Sequence, residues 1–489
     1  MKLRRKVFLK SCLVCMISFF MAGCVLNAES AEEKCAQIDR LFSPWDHPQS
    51  PGCALAVIQD GRIIYKKGYG LANLDHDVKI TPATVFRIGS ISKQFTAACI
   101  QILYREGKLS LDDNIRKYVP EMPEYEWPIT IRHLIHHTSG IRDYEWLQYF
   151  RGEHSDKAEH SNEDIIGLVS RQKGLEFRPG DQFSYCNSGY TLLATIVERV
   201  SGKPFSKFVK ERIFNPLGMK DTLIYDDNTM IINNRAVGYS KKDDGFTVNE
   251  TLNESTGDGG VFTTVEDFFL WDQNFYKDKI GSPGFIKGLL QVGELNDGTP
   301  AGYEKQGIKY EYAFGLTISR YRGLRTISHG GAYVGFRAAY LQFPDKRFSV
   351  ICLGNLSQFD PMSLCYQIAE LFLDDDFTER KEPVPNENPT AEQTKEERTG
   401  LTNGQLNVYA GEYYSEELQA FYKIAVKEKH LVFTHVNPPT ASPLSTNGPD
   451  IFFFPGFELR FIKDTKGEVT GFIFQSGKGV KNIFFEKIR

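Results

Sequence analysis

Ser90-Ile91-Ser92-Lys93 sets a hydroxyl three residues ahead of an amine, at the head of an apolar helical stretch. Phe95, Ala98, Cys99, Ile102 and Leu103 recur behind it at helical spacing, and residues 84–89 ahead of it read as an extended approach. Ser90 then sits at a helix N-terminus, where free N–H groups and the positive end of the helix dipole favour developing negative charge. Lys93 projects from the same face. A serine becomes a useful nucleophile when a neighbour takes its proton, and a partly desolvated lysine can do that. On the tetrapeptide alone, an N-cap serine followed by an ordinary surface lysine is the better reading, so other segments must decide.

Two further segments could complete such a site, which also needs a second proton-transfer group, polar groups to orient a carbonyl and an oxyanion pocket. Phe183-Ser184-Tyr185-Cys186-Asn187-Ser188-Gly189-Tyr190 reads as a loop leading into a helix over 192–200. Tyr185 offers a phenol, whose pKa of about 10 in water an adjacent ammonium could lower. Asn187 offers both a donor and an acceptor to an amide substrate. In Ser328-His329-Gly330-Gly331-Ala332, paired glycines on a strand let a substrate backbone approach closely. The N–H of Ala332, with that of Ser90, could form the oxyanion hole, and His329 would be the polar or cationic group facing the substrate. Taken singly, these are an aromatic anchor beside a turn-forming asparagine, and a glycine-rich strand edge with an incidental histidine.

His133, His136 and His137 cluster in the sequence but lack the acidic residue of H-E-x-x-H, so no metal is expected there. Cys186 has no cysteine-hydrolase signature around it and reads as a packing residue.

In that order and over that span, S-x-x-K, Y-x-N and H-x-G resemble the serine β-lactamase and penicillin-binding-protein superfamily, most closely its class C β-lactamase-related branch. The intervening text resembles it too: residues 129–140 (ITIRHLIHHTSG), Arg178-Pro179-Gly180, Asn215-Pro216-Leu217-Gly218-Met219 and residues 257–264 (GDGGVFTT). The resemblance covers about residues 51–373. It implies an α/β fold of the β-lactamase/transpeptidase type, an antiparallel sheet flanked by helices with a helical subdomain. It also implies acyl-enzyme chemistry without a cofactor. Ser90 would attack a carbonyl, Lys93 and Tyr185 would share the proton work, and Asn187, His329, Gly330, Gly331 and Ala332 would bind substrate. Which of Lys93 and Tyr185 is the formal base stays open, because two interacting groups titrate as a pair.

One departure stands out. β-Lactamases of this superfamily usually carry a lysine where His329 stands, and a histidine looks more like the esterase and D-amino-acid peptidase branches. The expected function is therefore a serine hydrolase of a small amide or ester, D-amino-acid peptidase or esterase in type. The alternatives are a penicillin-binding sensor or scaffold with little turnover, or a weak β-lactamase.

The rest of the chain frames this site. At 489 residues it exceeds one ordinary core, and a net charge of -4 argues against nucleic acid as a partner. Lys2, Arg4, Arg5, Lys6 and Lys10 precede an apolar run over 12–22 that ends in Met21-Ala22-Gly23-Cys24. The run is short for a bilayer span and reads as a secretory signal over 1–23. The tetrapeptide resembles a lipobox, which implies lipidation of Cys24 and a membrane tether in the bacterial cell envelope. The alternative is plain secretion with cleavage near Ala28. No later segment looks transmembrane.

The hydrolase domain is expected over 31–375, its terminal strands meeting in one sheet. Hairpins are read at 53–65 and 338–353, and a closing helix over 368–372. Cys53 and Cys352 lie in strand-like runs and could pair. Residues 376–405 read as a solvated linker, too polar to build a core. Short alternating runs over 406–489 predict a small antiparallel β domain, which resembles the lipocalin-like appendages of some relatives.

Overall fold

The computed structural model describes residues 32–153, 160–281, 283–380, 401–436, 439–454, 457–476 and 480–488. The segment read as a secretory signal, Cys24 and most of the segment read as a linker lie outside them.

An eight-stranded antiparallel sheet carries the first domain. Its strands, in spatial order, are Gly302–Lys305, Ile308–Tyr312, Thr317–Tyr321, Leu324–Tyr333, Phe336–Phe343, Phe348–Gly354, Cys53–Gln59 and Arg62–Tyr69. The strand nearest the N-terminus thus lies beside the last strand of the domain, Cys53 opposite Gly354 and Gln59 opposite Phe348. Cys53–Gln59, flanked on both sides by other strands, is buried on both faces, and its alternation sorts the two cores. Cys53, Leu55 and Val57 pack with Val350, Cys352 and Ile368 under the helix Pro361–Leu373. Ala54, Ala56 and Ile58 face the helices Lys93–Arg105 and Val265–Lys277. The second of these helices is pinned by buried Asp272, whose carboxylate accepts from Tyr340, Gln342 and Ser349 on the sheet.

The closing helix begins at Pro361, a turn and more before its purely apolar stretch, because Asp360 caps it and Pro361 suits its first turn. Cys53 and Cys352 sit on neighbouring strands but are free thiols. The register sets Cys352 opposite Leu55 and diagonal to Cys53, and the two thiols touch with no disulfide between them.

Between the terminal strands lies the helical part that holds the site. The helix Tyr144–Arg151 is capped by Asp143 and ended by Gly152 in the left-handed conformation. The helix Asn187–Ser201 ends on Gly202 in the same way but has no side-chain cap of its own.

The helix Asn403–Asn407 leads into eight strands, from Gly411–Ser415 to Ile483–Lys487, each paired with the next. Tyr413 opposite Lys487 closes them into an up-and-down barrel. Its lumen is aromatic, with Tyr413, Tyr422, Phe452, Phe472 and Phe485 buried. Among the described residues, no helix is long and apolar enough to cross a membrane.

Candidate active site

Ser90 lies on a single helical turn, Gly89–Ser92, that runs into the helix Lys93–Arg105. Gly89 takes a left-handed φ of 51°, and a Cβ there would come within 2.8 Å of the Ala332 nitrogen. A Cβ on Gly331 would strike the Ile88 carbonyl at 1.9 Å. Only glycines let this turn rest backbone to backbone on the strand Leu324–Tyr333. Ser90 and Ala332 are thereby brought side by side. On that strand the register with Thr317–Tyr321 stops at Ser328, so residues 329–333 pair on one side only, with Phe336–Phe343. Gly330 is exposed, with only the Ala338 carbonyl near its open face, 4.0 Å away.

Lys93 is completely buried. Its Nζ donates to Asn187 Oδ1 at 2.8 Å and to the Asp258 carbonyl at 2.9 Å, and it lies 3.1 Å from Ser90 Oγ. Burial pulls its pKa below the ordinary lysine value, against the attraction of Asp258, Glu145 and Asp143. Tyr185 stands over the same ammonium, with Nζ 4.9 Å from its ring centroid, and its hydroxyl hydrogen-bonds Ser90. Its phenol is not lowered as expected. Although the residue is 37% exposed, desolvation around its hydroxyl raises its pKa, and nearby Asp258, Glu145 and Asp143 raise it further, outweighing the bond to Ser90.

His329 takes the polar rather than the cationic of the two roles read for it. It is 7% exposed, and burial with the nearby Lys93 charge pulls its pKa down to about 4. Its Nδ1 lies 2.6 Å from the Gly330 carbonyl, which can only accept, so Nδ1 carries the proton. Nε2 then accepts from the Tyr312 hydroxyl at 3.3 Å. The residue is a neutral imidazole near pH 7, not a cation.

Ser90, Lys93, Tyr185, Asn187, His329, Gly330, Gly331 and Ala332 thus fall in one place. The three clustered histidines separate: His133 caps its own helix, His136 meets the Tyr312 carbonyl, and His137 accepts from the Cys186 N–H at 3.0 Å. Cys186 is buried, its thiol directed to the Ile141 carbonyl.

Several residues support the site in ways the sequence does not signal. His137 lies under Tyr185, ring centroids 4.2 Å apart, and against Tyr190 and Tyr312. Asp143 accepts the N–H of Asn187, giving the uncapped helix its missing partner. Burial raises the carboxyl of Asp143 to about 6 and that of Glu145 to about 8. Asp258 is held by the Tyr144 hydroxyl at 2.9 Å. The family segment at residues 257–264 marks the place of Asp258 but not its role.

A family model described as Beta-lactamase matches residues 38–370. Penicillin-binding protein 4* of Bacillus subtilis is 30% identical over 322 residues, covering 63% of this chain and 68% of its own length. A D-aminopeptidase of Brucella anthropi is 30% identical over 314 residues, 63% of this chain, and the match spans only 57% of that relative. Among solved structures, the octameric penicillin-binding protein homologue from Pyrococcus abyssi superposes with a TM-score of 0.61 at 23% identity. That superposition covers 94% of this chain and all of the other, so the shared fold takes in the barrel as well. The chain belongs to the Beta-lactamase family.

Proposed function

We propose that this protein is a serine hydrolase that forms an acyl-enzyme on Ser90 and hydrolyses small amides or esters, with D-aminoacyl compounds as the favoured class. The observation that carries this reading is the set of acceptors around Lys93. The Asn187 side-chain oxygen and the Asp258 carbonyl take two N–H groups, so a neutral amine has its lone pair left for the Ser90 hydroxyl. Lys93, its pKa lowered, is the base; Tyr185, its pKa raised, stays protonated and serves as the proton donor.

In the forward step Ser90 Oγ bonds to the substrate carbonyl carbon and its proton passes to Lys93 Nζ. The oxyanion rests on the N–H groups of Ser90 and Ala332. The leaving nitrogen or oxygen takes a proton from Tyr185, whose phenolate is refilled by the neighbouring Lys93 ammonium, so that both groups end the acylation as they began it. Water then attacks the ester by the reverse relay. The one-sided strand at residues 329–333 offers free backbone groups to the acyl portion.

Neutral His329 supports amides and esters over β-lactams, because it gives a β-lactam carboxylate no fixed positive charge. The D-aminopeptidase and penicillin-binding relatives support the same class. The reading includes export to the cell envelope and a lipid tether at Cys24, supported by the basic and apolar segments that precede Met21-Ala22-Gly23-Cys24.

The test is a panel of D- and L-aminoacyl p-nitroanilides, p-nitrophenyl esters and nitrocefin, assayed with wild type and Ser90→Ala. Turnover of D-aminoacyl or ester substrates that vanishes in Ser90→Ala supports the reading. A penicillin adduct that persists with no amide or ester turnover would replace it with a penicillin-binding sensor.

A further inference from the structure

Arg142 is a buried cation belonging to the hydrolase domain, yet most of its partners come from the barrel. Its Nη1 donates to Glu417 Oε2 at 2.5 Å and to Gln172 Oε1 at 2.8 Å. Its Nε and Nη2 donate to the carbonyls of Lys481 and Asn482, both at 3.0 Å. Glu417 lies in the turn between the first two barrel strands, and residues 481–482 precede the last. Asn482 holds a left-handed φ of 61° beside the two aimed carbonyls. The side chains of the ion pair are 1% and 5% exposed. Glu417 Oε2 takes a second bond, from the Lys173 N–H at 2.7 Å, and the Glu417 carbonyl accepts from Gln172.

The backbone end of Arg142 and its neighbour hold the start of the helix that carries Asn187. The Arg142 carbonyl accepts from Ser188 Oγ at 2.8 Å, which in turn accepts from the Tyr144 N–H at 2.8 Å. Its neighbour Asp143 holds the Asn187 N–H. Asn187 Oδ1 then takes one of the two N–H bonds that aim the Lys93 amine.

Adhesion alone does not explain this arrangement. Phe150 already packs on Phe457 and Phe474 of the barrel, with centroids 5.3 and 4.6 Å apart, and Tyr422 donates to the Phe150 carbonyl. A buried ion pair adds little net attraction once desolvation is counted, and what it supplies is a single defined geometry.

We propose that the Arg142–Glu417 pair is a positioning link through which the C-terminal barrel sets the Asn187–Lys93 contact, so that the barrel is part of the catalytic unit. This rests on the reading of Ser90 and Lys93 given above. Arg142 and Glu417 are positioning residues and touch no reacting atom.

The test uses the full chain, labelled at Ser90 with a fluorophosphonate across pH 6–10, with the rate constant per folded site read by intact mass and the melting temperature measured alongside. Glu417→Gln is expected to slow labelling about tenfold or more. It also moves the acid-limb midpoint to lower pH, because the guanidinium left uncompensated favours neutral Lys93. Glu417→Asp, which keeps the charge and shortens the reach, slows labelling without moving the midpoint. Glu416→Gln removes an equal charge from the exposed Lys173–Glu416 pair on the same docking face and leaves both unchanged.

A Glu417→Gln protein that melts lower but labels with the wild-type rate and midpoint overturns the proposal. If that variant does not fold, a wild-type rate in Glu417→Asp does so instead. Failure of the wild type itself to label at Ser90 is a different result, and sinks the underlying reading of the site.

Discussion

Lys93 and Asp258 meet through the wrong group for a salt bridge. The ammonium donates to the Asp258 backbone carbonyl at 2.9 Å, while the Asp258 carboxylate is taken by the Tyr144 hydroxyl, also at 2.9 Å. A carboxylate placed directly on Nζ would lock the lysine as a cation. A carbonyl orients it without that cost, and burial can then draw its pKa down.

Asn187→Asp tests this balance. It puts a carboxylate where the neutral Oδ1 now accepts from Lys93 at 2.8 Å. An opposite charge at that distance raises the lysine pKa, so the acid limb of Ser90 labelling is expected to move up by about one unit or more. Labelling rates across pH 6–10 for the two proteins check it, and an unmoved midpoint would mean that Lys93 is not the titrating base.

Gly257 aims the Asp258 carbonyl from a φ of 102°, and a Cβ there would lie 2.3 Å from the Tyr190 carbonyl. Gly257→Ala is expected to cost about 2 kcal/mol or more in stability from strain and backbone clash. It should also slow labelling of the protein that remains folded. Urea unfolding with labelling at a temperature well below the melt separates the two effects.

How much of this was legible follows from where each signal sits. Ser90 and Lys93 are three residues apart, Tyr185 and Asn187 two, and His329 adjoins its glycines, so local spacing carries each fragment. The hairpins and the alternation of the barrel strands were legible for the same reason, since strand periodicity is local. Arg142 and Glu417 are 275 positions apart, and nothing near either one signals the other. Asp258 was hidden differently, because it is the carbonyl and not the carboxylate that touches Lys93. The protonation of Tyr185 was not legible, because desolvation around its hydroxyl and the nearby carboxyl groups outweigh the neighbouring ammonium.

His329 supplies a pH prediction. Its pKa is about 4 in the fold, against about 6.5 in the unfolded chain. A histidine held neutral contributes stability that is complete above about pH 6.5 and is lost as pH falls towards 4. The stability of wild type relative to His329→Gln should therefore drop on acidification, by about 3 kcal/mol at the lower end of that window. Other buried groups titrate in both proteins and cancel in the difference. Unfolding of both at pH 7.5, 6 and 5 checks it, and a constant difference would mean that His329 is not held neutral.

His329→Lys should restore a fixed positive charge beside the Gly330–Ala332 edge. Acylation by benzylpenicillin is expected to rise on the order of tenfold, the worth of one modest charge pair, while turnover of D-aminoacyl esters, which lack that carboxylate, gains nothing. Stopped-flow acylation with both substrates reads the ratio, and an equal change in the two would contradict the assignment.

The central claim is that Ser90, activated by Lys93, is the nucleophile. Intact-mass spectrometry of wild type, Ser90→Ala and Lys93→Met after exposure to a fluorophosphonate tests it most directly. The account predicts one adduct per chain in wild type, mapping to the peptide that contains Ser90, none in Ser90→Ala, and labelling slowed by about a hundredfold or more in Lys93→Met. A full adduct on Ser90→Ala, or wild-type labelling in Lys93→Met, would contradict it.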